Sequence, residues 1–279
     1  MKQITNELIQ KYKEHLSTEE KSSVTVEKYI RDVTALQKWL KNRKIDKQAA
    51  LDYKNQLIQS YAPASVNSII SSLNSFFDFC KWYEVRIKTV KIQKQIFIKE
   101  ERELTKAEYS RLLSAAHSKK RNRLYLLMQT ICSTGIRISE LKFITVEALK
   151  NETAEIRSKG KLRYVFIPKS LCKALARYAK EQKITTGSIF VSRNGNPLDR
   201  SNVWSEMKKL CEAAGVSKAK VFPHNLRHLF AKVYYSVQKD IVRLADILGH
   251  SSVNTTRIYT MESGEVHRRQ IQRLGLLRC

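Results

Sequence analysis

Acidic residues are scarce in this chain: 26 Asp and Glu stand against 52 Lys and Arg, a formal charge of +26 over 279 residues. Solubility needs no surplus of that size, which argues for a polyanionic partner, nucleic acid before an acidic membrane surface. The basic residues run the whole length rather than gathering in a tail, so a folded body carries the field. Scattered carboxylates also disfavour a nuclease that builds its metal site from clustered acids. No apolar run reaches about eighteen residues, so no membrane-spanning helix is expected. The opening residues, MKQITNELIQKYKEHL, lack the apolar centre of a secretory signal. The five cysteines (Cys80, Cys132, Cys172, Cys211, Cys279) are odd in number and contain no C-x-x-C pair. That fits reduced thiols in a cytosol and argues against a zinc site. Only four prolines and eight glycines suit a mostly helical protein. What is present is 42% hydrophobic, enough for real cores, and the length points to two domains.

Residues 1–83 read as four helices. Leu8, Tyr12 and Leu16 form a first apolar stripe, and Val26, Ile30, Val33, Leu36 and Leu40 form a second at three- and four-residue steps. Asp46 can cap a third helix carrying Ala50, Tyr53 and Leu57. Pro63 suits the first turn of a fourth, with Val66, Ile69, Leu73, Phe76 and Cys80 inward. Its other face is rich in small polar residues, among them Ser65, Asn67, Ser68, Ser72 and Asn74. Such a face suits either close approach to a phosphate backbone or plain solvation.

From Glu84 to Glu103 the helical period is lost, and the run reads as an extended linker. A second domain opens at Leu104, where Thr105 and Glu108 have the spacing of a capping box. Farther on, Ser133-Thr134-Gly135 breaks a helix and Arg137 follows at the start of the next. Backbone N–H groups beside a guanidinium suit a phosphate. Glu140, three residues on, can hold Arg137 in orientation or form a merely local salt bridge. Residues 153–168 read as a β-hairpin with the basic tip Ser158-Lys159-Gly160-Lys161. Then come a helix over 170–182, a short strand Ile189-Phe190-Val191, and a helix from Asp199 to Ala214 ended by Gly215.

The segment PHNLRHLFAKVYYSVQKDIVRLADILGHSSVNTTRIY, residues 223–259, gathers His224, Arg227, His228, His250 and Tyr259. His224 and Arg227 share a helix face. Asp240 starts a second helix and Gly249 ends it, with His250 directly after. Two imidazoles, an arginine and a phenol thus leave consecutive helix ends toward one place. Together, TGIRISEL, HNLRH and LGHSSVNTTRIY, in that order and spacing, resemble the tyrosine recombinases (the phage integrase family), and especially its short Xer-like members.

The resemblance implies a mainly α fold with a small β-sheet, arranged as a two-domain clamp. A helical core-binding domain over 1–83 and a mixed α/β catalytic domain over 104–279 are joined by the linker 84–103. A basic helix from Gly264 to Leu277 docks on a neighbouring protomer or folds back. Tyr259 attacks the scissile phosphate to form a 3′-phosphotyrosyl bond, and Arg137 and Arg227 brace the non-bridging oxygens. His224 takes the phenolic proton and His250 hydrogen-bonds the phosphate. A hairpin lysine serves as general acid for the leaving 5′-oxygen. Lys159 matches it best, but the tip is one residue shorter than the usual Lys-Gly-x-Lys form, so Lys161 stays an alternate. His228 is assigned no role, because it is expected to face elsewhere. No metal, ATP or other cofactor is expected.

The expected partners are double-stranded DNA with short inverted-repeat core sites and three further protomers, identical or related, with no membrane. The expected location is a bacterial-type cytosol. Ser65, Ser68, Ser72 and Lys161 are the candidate DNA contacts. A type IB topoisomerase, which acts as a monomer, and a DNA-binding protein with a dead site are the competing readings.

Overall fold

The computed structural model describes residues 2–41, 43–92, 102–158, 160–192, 194–259 and 271–274. The chain divides into two compact units, residues 1–94 and 95–279.

The first unit is a four-helix bundle: α1 (Asn6–Thr18), α2 (Ser23–Leu40), α3 (Lys47–Ser60) and α4 (Pro63–Phe79). Side-chain oxygens cap the first three. Thr5 accepts from the Leu8 N–H, Ser22 from Thr25 and Asp46 from Ala49, each satisfying a donor the helix cannot. Tyr12, Val33, Leu36, Val66, Leu73 and Phe76 close the core. On α4 the buried stripe differs from expectation: Ile70 and Phe77 are enclosed, while Ile69 and Cys80 are half-buried. The helix packs against both α2 and α3, so its apolar face is wider than one stripe.

The polar face of α4 is not uniformly open. Ser65 and Ser68 are exposed. Ser72, expected among the DNA contacts, is fully buried. Its hydroxyl donates to Asp32 Oδ2 at 2.8 Å and accepts from Lys28 Nζ at 2.7 Å, and Lys28 also reaches Asp32 at 2.9 Å. A buried carboxylate must be paired, and Ser72 is spent on that pairing between helices.

Asn67 and Asn74 are spent as well. The Asn67 amide accepts from the Val90 N–H at 2.7 Å and donates to its carbonyl at 2.9 Å. Asn74 does the same to Ile87, at 3.0 and 2.8 Å. Seven helical residues rise about 10.5 Å, and three residues of extended chain span about 10 Å. The two amides therefore meet two successive rungs. Val85 and Ile87 enter the core, so this part of the expected linker belongs to the first unit. The amides supply the hydrogen bonds that an extended segment lacks internally.

The second unit starts with α5 (Lys106–Ser118), where Thr105 and Glu108 form a complete capping box. Helix α6 (Asn122–Thr134) ends at Gly135, φ 67°, and a 3₁₀ turn, Ile138–Phe143, leads to α7 (Val146–Lys150). Strands β1 (Thr153–Ser158) and β2 (Lys161–Phe166) pair antiparallel, Ser158 opposite Lys161 and Thr153 opposite Phe166. The turn holds two residues, with Gly160 at φ 72°, as a tight hairpin demands. Among the described residues the sheet has these two strands alone. The expected strand Ile189–Val191 is reduced to single bridges, Thr145 to Ser188 and Val191 to Pro197, because its neighbours are a helix start and a turn.

After α8 (Lys169–Glu181), the helix expected to run from Asp199 to Ala214 is broken into α9 (Arg200–Lys208) and α10 (Cys211–Ala214). Then follow α11 (Pro223–Gln238), α12 (Ile241–Leu248), α13 (Val253–Thr256) and a 3₁₀ turn, Arg257–Tyr259. Leu112, Leu127, Ile131, Leu175 and Leu226 lie in one core that also takes Ile156 and Val165 from the hairpin. The expected terminal helix lies outside the described residues, apart from 271–274. Among the described residues no helix is long and apolar enough to cross a membrane.

Candidate active site

The centre of the second unit is Arg227, the bulkiest of its fully buried side chains. Helix α11 carries it inward beside Leu226, and the backbone ends of two other helices receive it. Its Nη1 donates to Gly135 O at 2.7 Å, past the end of α6, and its Nη2 to Leu248 O at 2.7 Å, at the end of α12. Both acceptors are carbonyls that a helix terminus leaves free. Burial, and then the nearby Arg137, push the Arg227 guanidinium down to about 10, so it stays charged at neutral pH. Gly135 permits the approach. A β-carbon there would stand 2.5 Å from the Phe230 ring and 3.1 Å from Leu248.

Arg227 Nη2 also meets His250 Nε2 at 3.0 Å, and His250 Nδ1 meets Thr256 Oγ1 at 2.8 Å. A guanidinium can only donate, so Nε2 accepts and the imidazole proton sits on Nδ1. Burial, then the charges of Arg227, Arg137 and Arg163, push His250 down to about 4. It is neutral at pH 7. The sharp turn that delivers it needs Gly249, φ 64° at the end of α12.

Tyr259 is buried against Ala231, Leu244 and Leu248. Its ring lies edge-on to His228, centroids 4.8 Å apart, and parallel to His250 at 6.2 Å. Burial raises the phenol above its ordinary value, and the charge and hydrogen bond of Arg227 oppose that rise. The phenol is thus protonated at neutral pH, beside the cation best placed to stabilise its anion. His228 does not face elsewhere, as the sequence reading had it. It fills the gap between Tyr259 and His224, whose ring centroid lies 4.5 Å away. One turn of helix separates the two imidazoles, which puts them on the same side of α11. His224 is exposed at the rim. Partial enclosure and the charge of Arg227 hold it below its ordinary value.

Arg137 borders the same cluster and is 40% exposed. Its backbone N–H donates to Glu140 Oε2 at 2.7 Å and its Nη1 to Oε1 at 3.0 Å. The rest of the guanidinium is left to solvent. Glu140 is 3% exposed. Its environment favours the charged form: burial raises its pKa, but hydrogen bonds from Arg163 and Arg137 outweigh that and hold it below the usual carboxylate range. Arg163 is the partner that sequence reasoning missed, and it comes from β2.

The structure brings together Arg137, Glu140, His224, Arg227, His250 and Tyr259. Lys159 lies outside the described residues, and so does the side chain of Lys161, which opens β2. Three arginines surround one carboxylate, and the excess positive charge faces a rim of imidazoles with a phenol beneath. Such a pocket suits a phosphodiester: it offers guanidinium donors for the non-bridging oxygens and an oxygen nucleophile within the same enclosure. Among the described residues no three His, Cys, Asp or Glu are grouped to hold a metal ion.

Known proteins carry the same plan. Residues 102–265 match the model of the phage integrase family, and residues 9–84 match its N-terminal SAM-like domain. Tyrosine recombinase XerA of Thermococcus kodakarensis is 30% identical over 96% of this chain and 94% of its own. A crystal structure of XerA recombinase is 28% identical, with a TM-score of 0.54 over 99% of this chain and 100% of that one. A lambda integrase tetramer bound to a Holliday junction shares the fold, with 20% identity and a TM-score of 0.73 over 91% of this chain and 76% of that one. With the match to the family's model covering more than half the chain, and a full-length relative at that identity, this protein belongs to the phage integrase family and is a tyrosine recombinase, an enzyme of DNA strand breakage and rejoining.

Proposed function

We propose that this recombinase acts at short inverted-repeat sites in duplex DNA, with Tyr259 as its nucleophile. The observation that carries the reading is the seat of Tyr259, enclosed by His228 and His250 and electrostatically coupled to a buried, charged Arg227. Tyr259 Oη attacks the scissile phosphorus, the bond to the 5′-oxygen breaks, and a 3′-phosphotyrosyl link forms. His224 is the acceptor of the phenolic proton. The departing 5′-oxygen gains a proton from the hairpin lysine, Lys159 or else Lys161.

Arg137 and Arg227 grip the non-bridging oxygens, where charge grows in the transition state. Losing one such preorganised donor costs roughly a hundredfold to a thousandfold in rate. His250 hydrogen-bonds the phosphate as a donor: once Arg227 turns to the phosphate, the imidazole proton moves to Nε2 and Nδ1 accepts from the Thr256 hydroxyl. The covalent link conserves the bond energy, so a 5′-hydroxyl from another strand can attack it and exchange strands.

Residues 1–83 and 104–279 serve as the two arms of a DNA clamp, and four protomers assemble at synapsis, exchanging their C-terminal segments. The lambda integrase tetramer on a Holliday junction supports this assembly by likeness of fold. The enzyme works in the cytoplasm, on the nucleoid.

The test uses the full chain and a randomised library of nicked duplexes at low salt. Wild type forms an SDS-stable protein–DNA adduct, and Tyr259→Phe forms none. An adduct on the Phe variant, or none with wild type on any duplex, overturns the assignment of Tyr259.

A further inference from the structure

Arg163 belongs to no motif, yet it completes the four hydrogen bonds around Glu140. It stands on β2, whose side chains alternate: Val165 points into the core, while Leu162, Tyr164 and Phe166 are exposed. Arg163 points inward with Val165 and is 15% exposed. Its guanidinium grips Glu140 with both ends, Nη1 to Oε1 at 3.0 Å and Nη2 to Oε2 at 2.9 Å. Counting the two bonds from Arg137, each Glu140 oxygen accepts twice, which fills the four lone-pair sites of a carboxylate.

Two further contacts show what this arrangement controls. Arg227 Nη1 stands 4.0 Å from Glu140 Oε2, a long ion pair beyond hydrogen-bonding distance. Without Arg163, Glu140 would have two empty lone pairs and a second buried arginine within reach. On its other side Arg163 lies against Gly249, so closely that a β-carbon there would fall 2.7 Å from its Cδ and Nη1. Gly249 is the residue before His250. The Arg163 Nε–H is buried with no acceptor, a cost that a side chain placed only for packing would avoid.

We propose that Arg163 is the positioning residue of the phosphate-gripping pair: by saturating Glu140 it fixes the guanidinium of Arg137 and holds Glu140 to a long ion pair with Arg227 rather than a hydrogen bond, and through Gly249 it braces the turn that presents His250. The inference rests on the reading that Arg137 and Arg227 hold the scissile phosphate. Arg163 itself touches neither nucleophile nor DNA in this scheme. It acts through Glu140.

The test is single-turnover adduct formation on the nicked duplex that wild type captures from the library. A misplacement of about 1 Å in a catalytic group costs roughly a hundredfold, and Arg163→Gln should lose about that much. Its affinity for the same duplex, measured in a Tyr259→Phe background, should stay within about threefold, since phosphate contacts elsewhere dominate binding. Arg163→Lys keeps the charge without the two-pronged grip and should fall between Gln and wild type.

Two modified duplexes separate this role from others. A methylphosphonate at the scissile position removes one non-bridging oxygen charge, so the arginine grip matters less. There the deficit of Arg163→Gln should shrink to less than about tenfold. A bridging 5′-sulfur is a leaving group that needs no acid, and there the deficit should persist. Persistence on the methylphosphonate, rescue by the 5′-sulfur, or affinity falling in step with rate would each overturn the proposal. Should Arg163→Gln fail to fold, Arg163→Lys carries the test and must show the same pattern at smaller size. Absence of any wild-type adduct defeats the parent reading instead, which keeps the two failures apart.

Discussion

The His228 ring stands edge-on to Tyr259, centroids 4.8 Å apart, and is pushed down to about 4 by burial and by His224. A neutral imidazole therefore walls one side of the phenol. Its shape matters more than its charge.

If His228 sets the angle of the Tyr259 ring, His228→Ala lets the phenol tilt, and adduct formation slows by about tenfold to a hundredfold. His228→Phe restores a ring of similar size and should recover most of the rate. Parallel rate measurements on one nicked duplex decide it. Equal loss in both variants would make the imidazole a proton carrier rather than a spacer.

Stability should fall on mild acidification. His228 and His250 ordinarily titrate near 6.5, and both are pushed down to about 4 in the folded chain. Between those values the unfolded state binds more protons, so stability rises with pH and is lost as pH drops from about 6.5 toward 4. Glu140, held below the usual carboxylate range, adds its own loss only at lower pH, below about 4.5. Thermal melts across this range should show a shallower fall in His228→Phe than in wild type. An identical slope in the two would remove His228 from the balance.

Gly135→Ala and Gly215→Ala form a matched pair. Both positions have positive φ, and a left-handed residue with a β-carbon costs about 1–2 kcal/mol. At Gly215 nothing lies within 4 Å of the new carbon, whereas at Gly135 it strikes Phe230 and Leu248. Gly135→Ala should be the more destabilising in urea titrations. It should also impair cleavage, because its carbonyl receives Arg227.

Ser72→Ala probes the first unit. It leaves Lys28 and Asp32 short of a partner, at a cost of about 1–3 kcal/mol. The salt dependence of DNA binding should not change, since removing a real phosphate contact lowers that slope by about 0.9. Melting and a salt series on the same variant separate the two roles.

These variants also mark how far the sequence could be read. Caps and glycines announced the helix ends: Asp46, Asp240, Gly249 and the Thr105–Glu108 box act over three or four residues, which is the range of a sequence pattern. Arg137, His250 and Tyr259 shared that property, for each follows a helix end by a short count, and His224 and Arg227 lie one turn apart at the start of α11. Ser72 could not be read, because its burial depends on Lys28 and Asp32, forty residues away on α2. The docking of residues 86–90 depends likewise on two asparagines of α4. Arg163 was hidden by its own strand. In LRYVF the larger apolar residues face out and the arginine faces in, against the usual rule, because a buried Glu140 awaits it.

Ser158 pairs with Lys161 and Ile156 with Arg163, and that register decides which side of β2 each residue takes. One residue inserted directly after Lys161 would turn the guanidinium outward and send Leu162 toward Glu140. Two would restore the facing while moving the arginine about 7 Å along the strand. Between Lys161 and Arg163 the strand thus admits no single step. In lineages derived from this chain, single-residue length changes between Lys161 and Arg163 should be purged.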